Sequence, residues 1–264
     1  MNNGSAADAT LKTHGYMRII QYVEDIGSYF YMLKRTFSSF TKRSVLRELI
    51  FKEIDDLILG SLYIIAFISF FVGGVVAIQT ALNMDNPLLP KTLVGFATRQ
   101  SIILEFSPTF VAIIMAGKAG SFITSSIGSM RVTEQIDALE VMGVNSLNYL
   151  VFPKIIAMLL FPAVIAISMF LGIVGGGVAS VYGGFVTFTD FTSGIQQDFI
   201  PWHLMYAFIK TFVFAFILAT VPSWQGYYMK GGALEVGKAS TNSFVWTSVL
   251  IIASNFIITQ LLLS

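Results

Sequence analysis

The sequence predicts an all-α integral membrane protein, and three observations lead to that fold class. Of 264 residues, 55% are hydrophobic and only 12% are charged, about half the charged share that is usual in soluble domains. A soluble domain of this size has no core large enough to bury so much apolar surface. The apolar residues also fall into runs of about 20 residues or more, the length of a transmembrane helix. The composition therefore excludes an ordinary soluble enzyme and a disordered chain.

The first 53 residues precede the long apolar runs. Residues 1–15 are small and polar, lack the basic start and apolar core of a signal peptide, and are predicted to be disordered. In the segment 16–53, apolar residues recur at alternating spacings of four and three; they are Ile19, Val23, Ile26, Phe30, Leu33 and Phe37. This pattern predicts an amphipathic helix, too polar to span, that lies on the membrane surface. A coiled-coil or core helix is the alternative.

Residues 54–264 are predicted to form the transmembrane domain. The apolar runs that predict its five spans are 57–82, 93–116, 149–182, 202–224 and 244–263. With five spans, thirteen of the sixteen Lys and Arg residues lie on the side that holds the N-terminus, whereas the loops on the other side hold only Lys91. Because Lys and Arg concentrate in cytoplasmic loops, we predict a cytoplasmic N-terminus and a C-terminus on the opposite side of the membrane.

Glycine is frequent in the first and third spans, at Gly73, Gly74, Gly172, Gly175, Gly176 and Gly177. Small residues let the backbones of neighbouring helices approach closely in a membrane. We therefore expect these positions to serve helix packing rather than substrate binding.

The polar connection between the second and third spans, 117–148, contains a short amphipathic helix. Its apolar residues lie at positions i, i+4 and i+7 and its acidic residues share the other side; they are Val132, Ile136 and Leu139, and Glu134, Asp137 and Glu140, respectively. Gly143 lies where a helix needs a left-handed C-cap. Pro153 is expected to open the third span, where a missing N–H is tolerated.

A short helix held between two spans suits contact with a soluble motor protein. Its apolar side can fill a groove, and its acidic side can meet basic residues at the rim of that groove. The alternative is a loop helix that rests on the membrane surface.

The chain carries no motif for chemistry of its own. Gly117 and Lys118 do not complete a phosphate-binding loop, because Ala119 stands where Ser or Thr is required. The motifs H-E-x-x-H and G-x-S-x-G are absent, and with no cysteine and two histidines the sequence offers no metal site. We therefore expect no catalytic residue in this chain, and a membrane-embedded enzyme is disfavoured.

Two charges are predicted to lie deep in the membrane, Glu105 in the second span and Lys210 in the fourth. Such groups cost roughly 2.5–3.5 kcal/mol each at the bilayer centre and mark functional sites by default. Pro108 removes the helical hydrogen bond to the carbonyl of Leu104, so the backbone beside Glu105 is expected to be open. A structural ion pair or a conformational latch is the alternative. Arg99, nearer the outer end of its span, is expected to extend to the membrane surface.

One long run, AGKAGSFITSSIGSMRVTEQIDALEVMGVNSLNYLVFPK, resembles the signature of the MlaE (YrbE) family of permeases. The runs LEFSPTFVAIIMAGKAGS, IKTFVFAFI and QGYYMKGGALEVGKASTNSFV resemble the same family, and the resemblance covers about residues 55–264. It implies a homodimeric all-α permease of an ABC transporter in the bacterial inner membrane, with an N-terminal interfacial helix and five spans. The implied substrate is phospholipid.

The resemblance also implies partners. These are two ATPase subunits that bind ATP and magnesium, a periplasmic MCE-domain lipid carrier and, in some systems, a small STAS-type protein; no cofactor and no nucleic acid are implied for this chain. The ATPase-coupling candidates are Arg131, Glu134, Asp137 and Glu140, and the substrate-cavity candidates are Glu105, Lys210, Phe106 and Phe110. An ion-coupled secondary transporter or channel subunit is the alternative, although the sequence shows no internal symmetry.

Two segments depart from the family pattern. The family usually reads Arg-Glu-Leu-Gly-Pro where this chain has Leu104 to Pro108, and it often has an aspartate in the last span where this chain has Asn255. Both departures remove charge from the membrane.

Overall fold

The computed structural model describes residues 23–38, 42–84 and 88–263, and it contains helices and no strands within these ranges. The helices are α1 (23–36), α2 (Arg43–Asn83), α3 (Thr92–Val132), α4 (Gln135–Val141), α5 (Ser146–Tyr182), α6 (Phe188–Gln196), α7 (Pro201–Tyr228) and α8 (Ala233–Leu263). Five of them, α2, α3, α5, α7 and α8, are long and apolar enough to cross a membrane. The predicted fold class is confirmed. The predicted disorder of residues 1–15 lies outside the described residues.

The helices extend beyond the predicted spans. Helix α2 already begins at Arg43, α3 continues to Val132, and α8 begins at Ala233. Hydropathy marks only the part of a helix that suits lipid, whereas the backbone hydrogen bonds continue past it. The expectation that Pro153 opens the third span is wrong. Helix α5 already begins at Ser146 with Asn145 as its N-cap, so Pro153 lies inside the helix.

Three stretches of these long helices are π-helical, with bonds from residue i to i+5. They are Ile54–Leu59 in α2, and Ile102–Phe110 and Ala116–Gly120 in α3. Pro108 lies inside the second stretch. Its missing N–H and bulky ring disturb the regular α-helical bonding there, as the sequence predicts for the backbone beside Glu105.

Helices α2 and α5 pack with their backbones in contact. A Cβ atom added to Gly73 would lie 1.9 Å from the carbonyl oxygen of Gly172, and one added to Gly175 would lie 2.0 Å from that of Phe70. The hydroxyls of Ser69 and Ser168 share a hydrogen bond of 2.8 Å across the same contact. The glycines of the first and third spans therefore serve helix packing, as predicted.

Arg99 joins α3 to the short helix α6. Its guanidinium donates hydrogen bonds to the carbonyl oxygens of Ile195 at 2.6 Å, Gln197 at 2.8 Å and Asp198 at 3.3 Å. Arg99 is buried, so the expectation that it extends to the membrane surface is wrong. A cation at a helix C-terminus satisfies carbonyls that have no partner within the helix and interacts well with the helix dipole.

Helix α6 itself was not predicted, although its start carries a recognisable signal. The hydroxyl of Thr187 accepts a hydrogen bond from the backbone N–H of Asp190 at 3.2 Å, as in a capping box. The helix lies tightly on α3, because a Cβ atom added to Gly194 would lie 2.0 Å from the carbonyl oxygen of Thr92.

Helix α1 lies against one end of α7. The hydroxyls of Tyr29 and Thr220 share a hydrogen bond of 2.9 Å, and the indole N–H of Trp224 donates to the hydroxyl of Ser28 at 2.8 Å. Burial in this contact raises the pKa of Tyr29. Four residues of the predicted apolar stripe, Val23, Ile26, Phe30 and Phe37, are exposed, whereas Leu33 packs against the core and Ile19 lies outside the described residues. The core-helix alternative requires that stripe to be buried.

Candidate functional site

The structure brings together the two charges that the sequence places in the membrane. Lys210 on α7 donates a hydrogen bond of 2.9 Å from its ammonium group to Oε1 of Glu105 on α3. The same ammonium group donates to the carbonyl oxygen of Leu104 at 2.9 Å. Leu104 is the residue whose helical bond Pro108 cannot supply. Lys210 therefore satisfies both the carboxylate and the backbone acceptor that the proline leaves open.

The second oxygen of the Glu105 carboxylate is bound by α8 and by α3 itself. Its Oε2 accepts from the side-chain amide of Asn255 at 3.0 Å and from the hydroxyl of Thr109 at 3.1 Å. The hydroxyl of Tyr206 lies 3.4 Å from Oε1 and shares a hydrogen bond of 2.7 Å with the hydroxyl of Thr259. An amide donor suits this position, because an aspartate at residue 255 would place a second carboxylate against Glu105.

The Glu105 cluster consists of Glu105, Thr109, Tyr206, Lys210, Asn255 and Thr259. Thr109, Tyr206 and Thr259 were not predicted as site residues. The sequence does contain a signal for these residues, because α3, α7 and α8 each contribute to the cluster two polar residues that are four positions apart. Residues at that spacing share one face of a helix.

The cluster borders an open apolar surface. The side chain of Lys210 is fully buried, whereas that of Glu105 is 43% exposed. Phe106 and Phe110, the two apolar residues predicted for a cavity wall, are exposed beside it, with ring centroids 6.3 Å apart. A recess behind these rings, between α2, α3 and α5, has a volume of about 10 Å³, which holds no more than about one water molecule.

The predicted cytoplasmic helix is α4, and its acidic residues make different contacts. Glu134 is exposed and has a left-handed backbone conformation with φ 58°. Asp137 forms an ion pair of 2.8 Å with Arg131. Glu140 turns towards the rest of the protein and accepts hydrogen bonds from Ser146 at 2.9 Å and Tyr227 at 3.1 Å.

The predicted apolar side of α4 packs inwards in part: Val132 lies at the end of α3 instead, and Leu139 is partly buried. Ile136 is fully buried within the protein, so the expected filling of a partner's groove by this side does not fit the structure. Val141, 89% exposed, and Met142 are instead the apolar side chains at the open end of the helix. The sequence signal was ambiguous, because helical periodicity separates two faces without telling which one packs inwards.

Within the described residues, no three His, Asp or Glu side chains lie close enough together to hold a metal ion. The charged and polar groups of the Glu105 cluster bind one another instead. The arrangement can hold helices together and present a polar edge beside apolar surface.

Comparison with known proteins places these features in a family. The family model described as Permease MlaE matches residues 50–261. A probable ABC transporter permease protein of Rickettsia bellii is 31% identical over 245 residues, which cover 92% of this chain and 94% of that protein. A probable ABC transporter permease protein of Synechocystis is 32% identical over 193 residues, 73% of each chain. The intermembrane phospholipid transport system permease protein MlaE of Haemophilus influenzae is 28% identical over 217 residues, 81% of this chain and 82% of that one. With five helices fit to cross a membrane, the chain is a multi-pass membrane protein that belongs to the MlaE permease family.

Proposed function

We propose that this chain is the permease subunit of an ABC transporter that moves phospholipid between the inner membrane and a periplasmic MCE-domain lipid carrier. Separate ATPase subunits bind ATP and magnesium and drive the cycle, and a STAS-type protein is a further candidate partner. This chain performs no covalent chemistry. The name of the Haemophilus influenzae relative supports the substrate class. The observation that carries the proposal is the Glu105 cluster at the edge of an exposed apolar surface.

A diacyl phospholipid needs a site of mixed character, apolar for two tails and polar near one end. Exposed Phe106 and Phe110 on α3 and exposed Phe256 and Ile257 on α8 supply apolar surface. The half-exposed carboxylate of Glu105 supplies a polar edge next to it.

The recess of about 10 Å³ within one chain is far too small for a lipid tail. We therefore place the lipid between two copies of the chain, so that each copy contributes one Glu105 cluster. An open groove of about 480 Å³ between α3 and α8 is lined by small residues such as Gly117, Ser121 and Gly237. Such residues allow a further helix to approach closely, which supports a homodimer.

Helix α4 is the proposed contact for the ATPase. Its open surface carries Glu134 and the exposed apolar residues Val141 and Met142. Ile136 and Glu140 hold α4 to the rest of the permease. Force applied to the open surface of α4 would therefore be transmitted to the membrane-spanning helices. The Lys and Arg distribution supports a cytoplasmic α4 and N-terminus and a periplasmic C-terminus.

The first test is transport itself. The chain is co-purified with its ATPase subunits, reconstituted in vesicles and mixed with the MCE-domain carrier and a fluorescent phospholipid. ATP-dependent transfer of the lipid supports the proposal. Transfer driven by an ion gradient without an ATPase would instead support the secondary-transporter alternative.

The lipid site is tested by a photo-crosslinking amino acid at Phe106, with Tyr63 on α2 as the matched control. Both side chains are exposed, but only the first borders the Glu105 cluster. After purification in detergent, phospholipid should crosslink at position 106 and be largely absent at position 63. Equal crosslinking at both positions would contradict a site beside the cluster.

The ATPase contact is tested by Glu134→Lys. Loss of ATPase association or of lipid-stimulated ATP hydrolysis is expected, because the reversed charge would face basic residues of the partner. Glu48→Lys makes the same charge change at an exposed residue of α2 and should leave both measurements unchanged. Normal association and hydrolysis with Glu134→Lys would remove α4 as the contact.

A further inference from the structure

The side chain of Asn145 connects two helices through its two different atoms. Its Oδ1 accepts a hydrogen bond from the backbone N–H of Asn148 at 3.4 Å and so caps the start of α5. Its Nδ2 donates to the carbonyl oxygens of Arg35 at 2.9 Å and Ser38 at 2.7 Å, at the end of α1. The capping contact and the contact with α1 are therefore chemically separable.

Asn148 makes a parallel contact. Its Nδ2 donates to the carbonyl oxygen of Thr36 at 2.7 Å, and both residues are buried. The last carbonyls of a helix have no partners within that helix, and the two asparagines supply partners for those of α1. We name these contacts, from Asn145 and Asn148 to the carbonyls of Arg35, Thr36 and Ser38, the carboxamide clamp.

The clamp lies directly behind α4 in the chain. Gly143, with φ 75°, lets the backbone turn at the end of α4, and the N–H of Val144 bonds back to the carbonyl oxygen of Leu139 at 3.0 Å. Glu140 in the last turn accepts from the hydroxyl of Ser146, the residue after Asn145. These short bonds tie the position of Asn145 to that of α4.

We propose that Asn145 is a positioning residue that transmits displacement of α4 to the amphipathic helix α1. The inference rests on the proposed function, in which an ATPase displaces α4. Helix α1 exposes Val23, Ile26 and Phe30, so a displacement of α1 changes how the protein meets the membrane surface. The carboxamide clamp thereby links ATP hydrolysis to α1, a helix that contacts lipid but is not one of the five membrane-spanning helices.

The first test uses Asn145→Asp in the complex with the ATPase subunits. Aspartate keeps an oxygen that can cap α5 but loses the Nδ2 donor and turns a carboxylate towards two carbonyl oxygens. We expect about a three- to tenfold fall in lipid transferred per ATP hydrolysed, with unchanged subunit association. The matched control is Asn242→Asp, the same change at an exposed residue of α8, and it should leave this ratio unchanged.

A second readout follows α1 itself. The chain contains no cysteine, so Ile26→Cys in α1 accepts a single environment-sensitive fluorophore before the ATPase subunits are added. ATP should change the fluorescence in the otherwise unchanged chain and not in the Asn145→Asp chain. This readout needs no lipid transfer, so it tests the clamp even if the substrate assignment fails.

A rescue experiment tells whether Asn145 transmits displacement to α1 or only stabilises the local fold. In the double variant Ser38→Cys/Asn145→Cys, a reducible crosslinker replaces the clamp by a covalent link. The reduced protein should couple as poorly as Asn145→Asp, and the crosslinked protein should recover the ratio of lipid transferred to ATP hydrolysed. A normal ratio and a normal fluorescence change in Asn145→Asp would overturn the proposal, as would a crosslinked protein that stays uncoupled. Absence of lipid transfer by the unchanged chain, with an intact fluorescence change, would instead count against the proposed function alone.

Discussion

Two helix junctions of this protein are held together by different kinds of contact. Helices α2 and α5 meet through glycines whose backbones are in contact, with no space for a single added carbon atom. At the level of Glu105, helices α3, α7 and α8 meet through the side chains of the Glu105 cluster. Only 11% of the residues in the most apolar stretch of α8 are buried, against 56% in that of α7, so α8 is the less enclosed of these two helices. Close backbone packing permits no partial rearrangement, whereas a set of hydrogen bonds can be exchanged bond by bond. The α2–α5 junction is therefore the rigid support, and the other junction is the one that can be adjusted.

The largest effect should come from Gly73→Ala, which tests how rigid the α2–α5 junction is. Overpacking typically costs about 1–3 kcal/mol and occasionally more, and we expect more than about 3 kcal/mol here because the added Cβ would lie 1.9 Å from a backbone oxygen that cannot rotate away. We expect a strong loss of monodisperse protein in detergent, measured by size-exclusion chromatography. Gly27→Ala in α1 is the control, because nothing lies within 4 Å of its added Cβ. A normal yield of Gly73→Ala would show that this junction is adjustable too.

A smaller but clear effect is expected from Lys210→Met, which removes the positive charge of the cluster and leaves an unbranched side chain one atom shorter. Loss of one partner from a buried ion pair costs about 3–5 kcal/mol, and we expect about 2–3 kcal/mol here because Glu105 is only partly buried and keeps its bonds from Asn255 and Thr109. Thermal unfolding in detergent measures the loss. Adding Glu105→Gln should recover part of it, and Lys230→Met, at an exposed lysine, is the control. An unchanged unfolding temperature would mean that the cluster does not hold the three helices.

Asn255→Asp tests the neutral contact of α8 with the cluster. The new carboxylate would face Oε2 of Glu105, which now accepts a hydrogen bond of 3.0 Å from the amide. Repulsion and the lost bond should lower stability by about 1–2 kcal/mol. Asn255→Leu loses only the bond and should be milder in the same unfolding assay. If the aspartate were the milder of the two, electrostatics would not control this contact.

The smallest effect is expected from Tyr206→Phe. This change removes a hydroxyl that shares a hydrogen bond of 2.7 Å with Thr259 and keeps the ring that lies 4.6 Å from the Lys210 ammonium group. A net loss of about 1 kcal/mol is typical of one hydrogen bond. Tyr63→Phe, at an exposed tyrosine of α2, controls for the loss of a hydroxyl. A loss larger than that of Lys210→Met would place the tyrosine, and not the ion pair, at the centre of the cluster.

The sequence predicts much of this architecture, because the bilayer makes demands that residues reveal directly. The five spans follow from hydropathy, and the ion pair of Glu105 with Lys210 is the alternative that the cost of isolated charge in lipid left open beside a substrate site. Even the open carbonyl of Leu104 follows from Pro108. These features depend on local chemistry and on length, which one sequence contains in full.

Other features depend on contacts whose partners cannot be identified from the sequence. Arg99 binds the backbone carbonyls of α6, and every residue has a carbonyl, so no residue type identifies that partner. Glu140 shares a helical face with Glu134 and Asp137 in the sequence, yet it turns inwards because Tyr227 and Ser146 lie there. Only the packing of distant segments decides such cases.

The π-helical stretch Ile102–Phe110 has a consequence for the evolution of the family. A bond from i to i+5 encloses one more residue than a bond from i to i+4, so a π-helical stretch can absorb a one-residue insertion without breaking the helix. Deleting that residue would leave a regular helix whose later half is rotated by about 100°, the angle between successive residues. Relatives that lack the extra residue would then turn a different set of side chains towards α7 and α8. A relative shorter by one residue inside this span would therefore build its polar cluster from other positions.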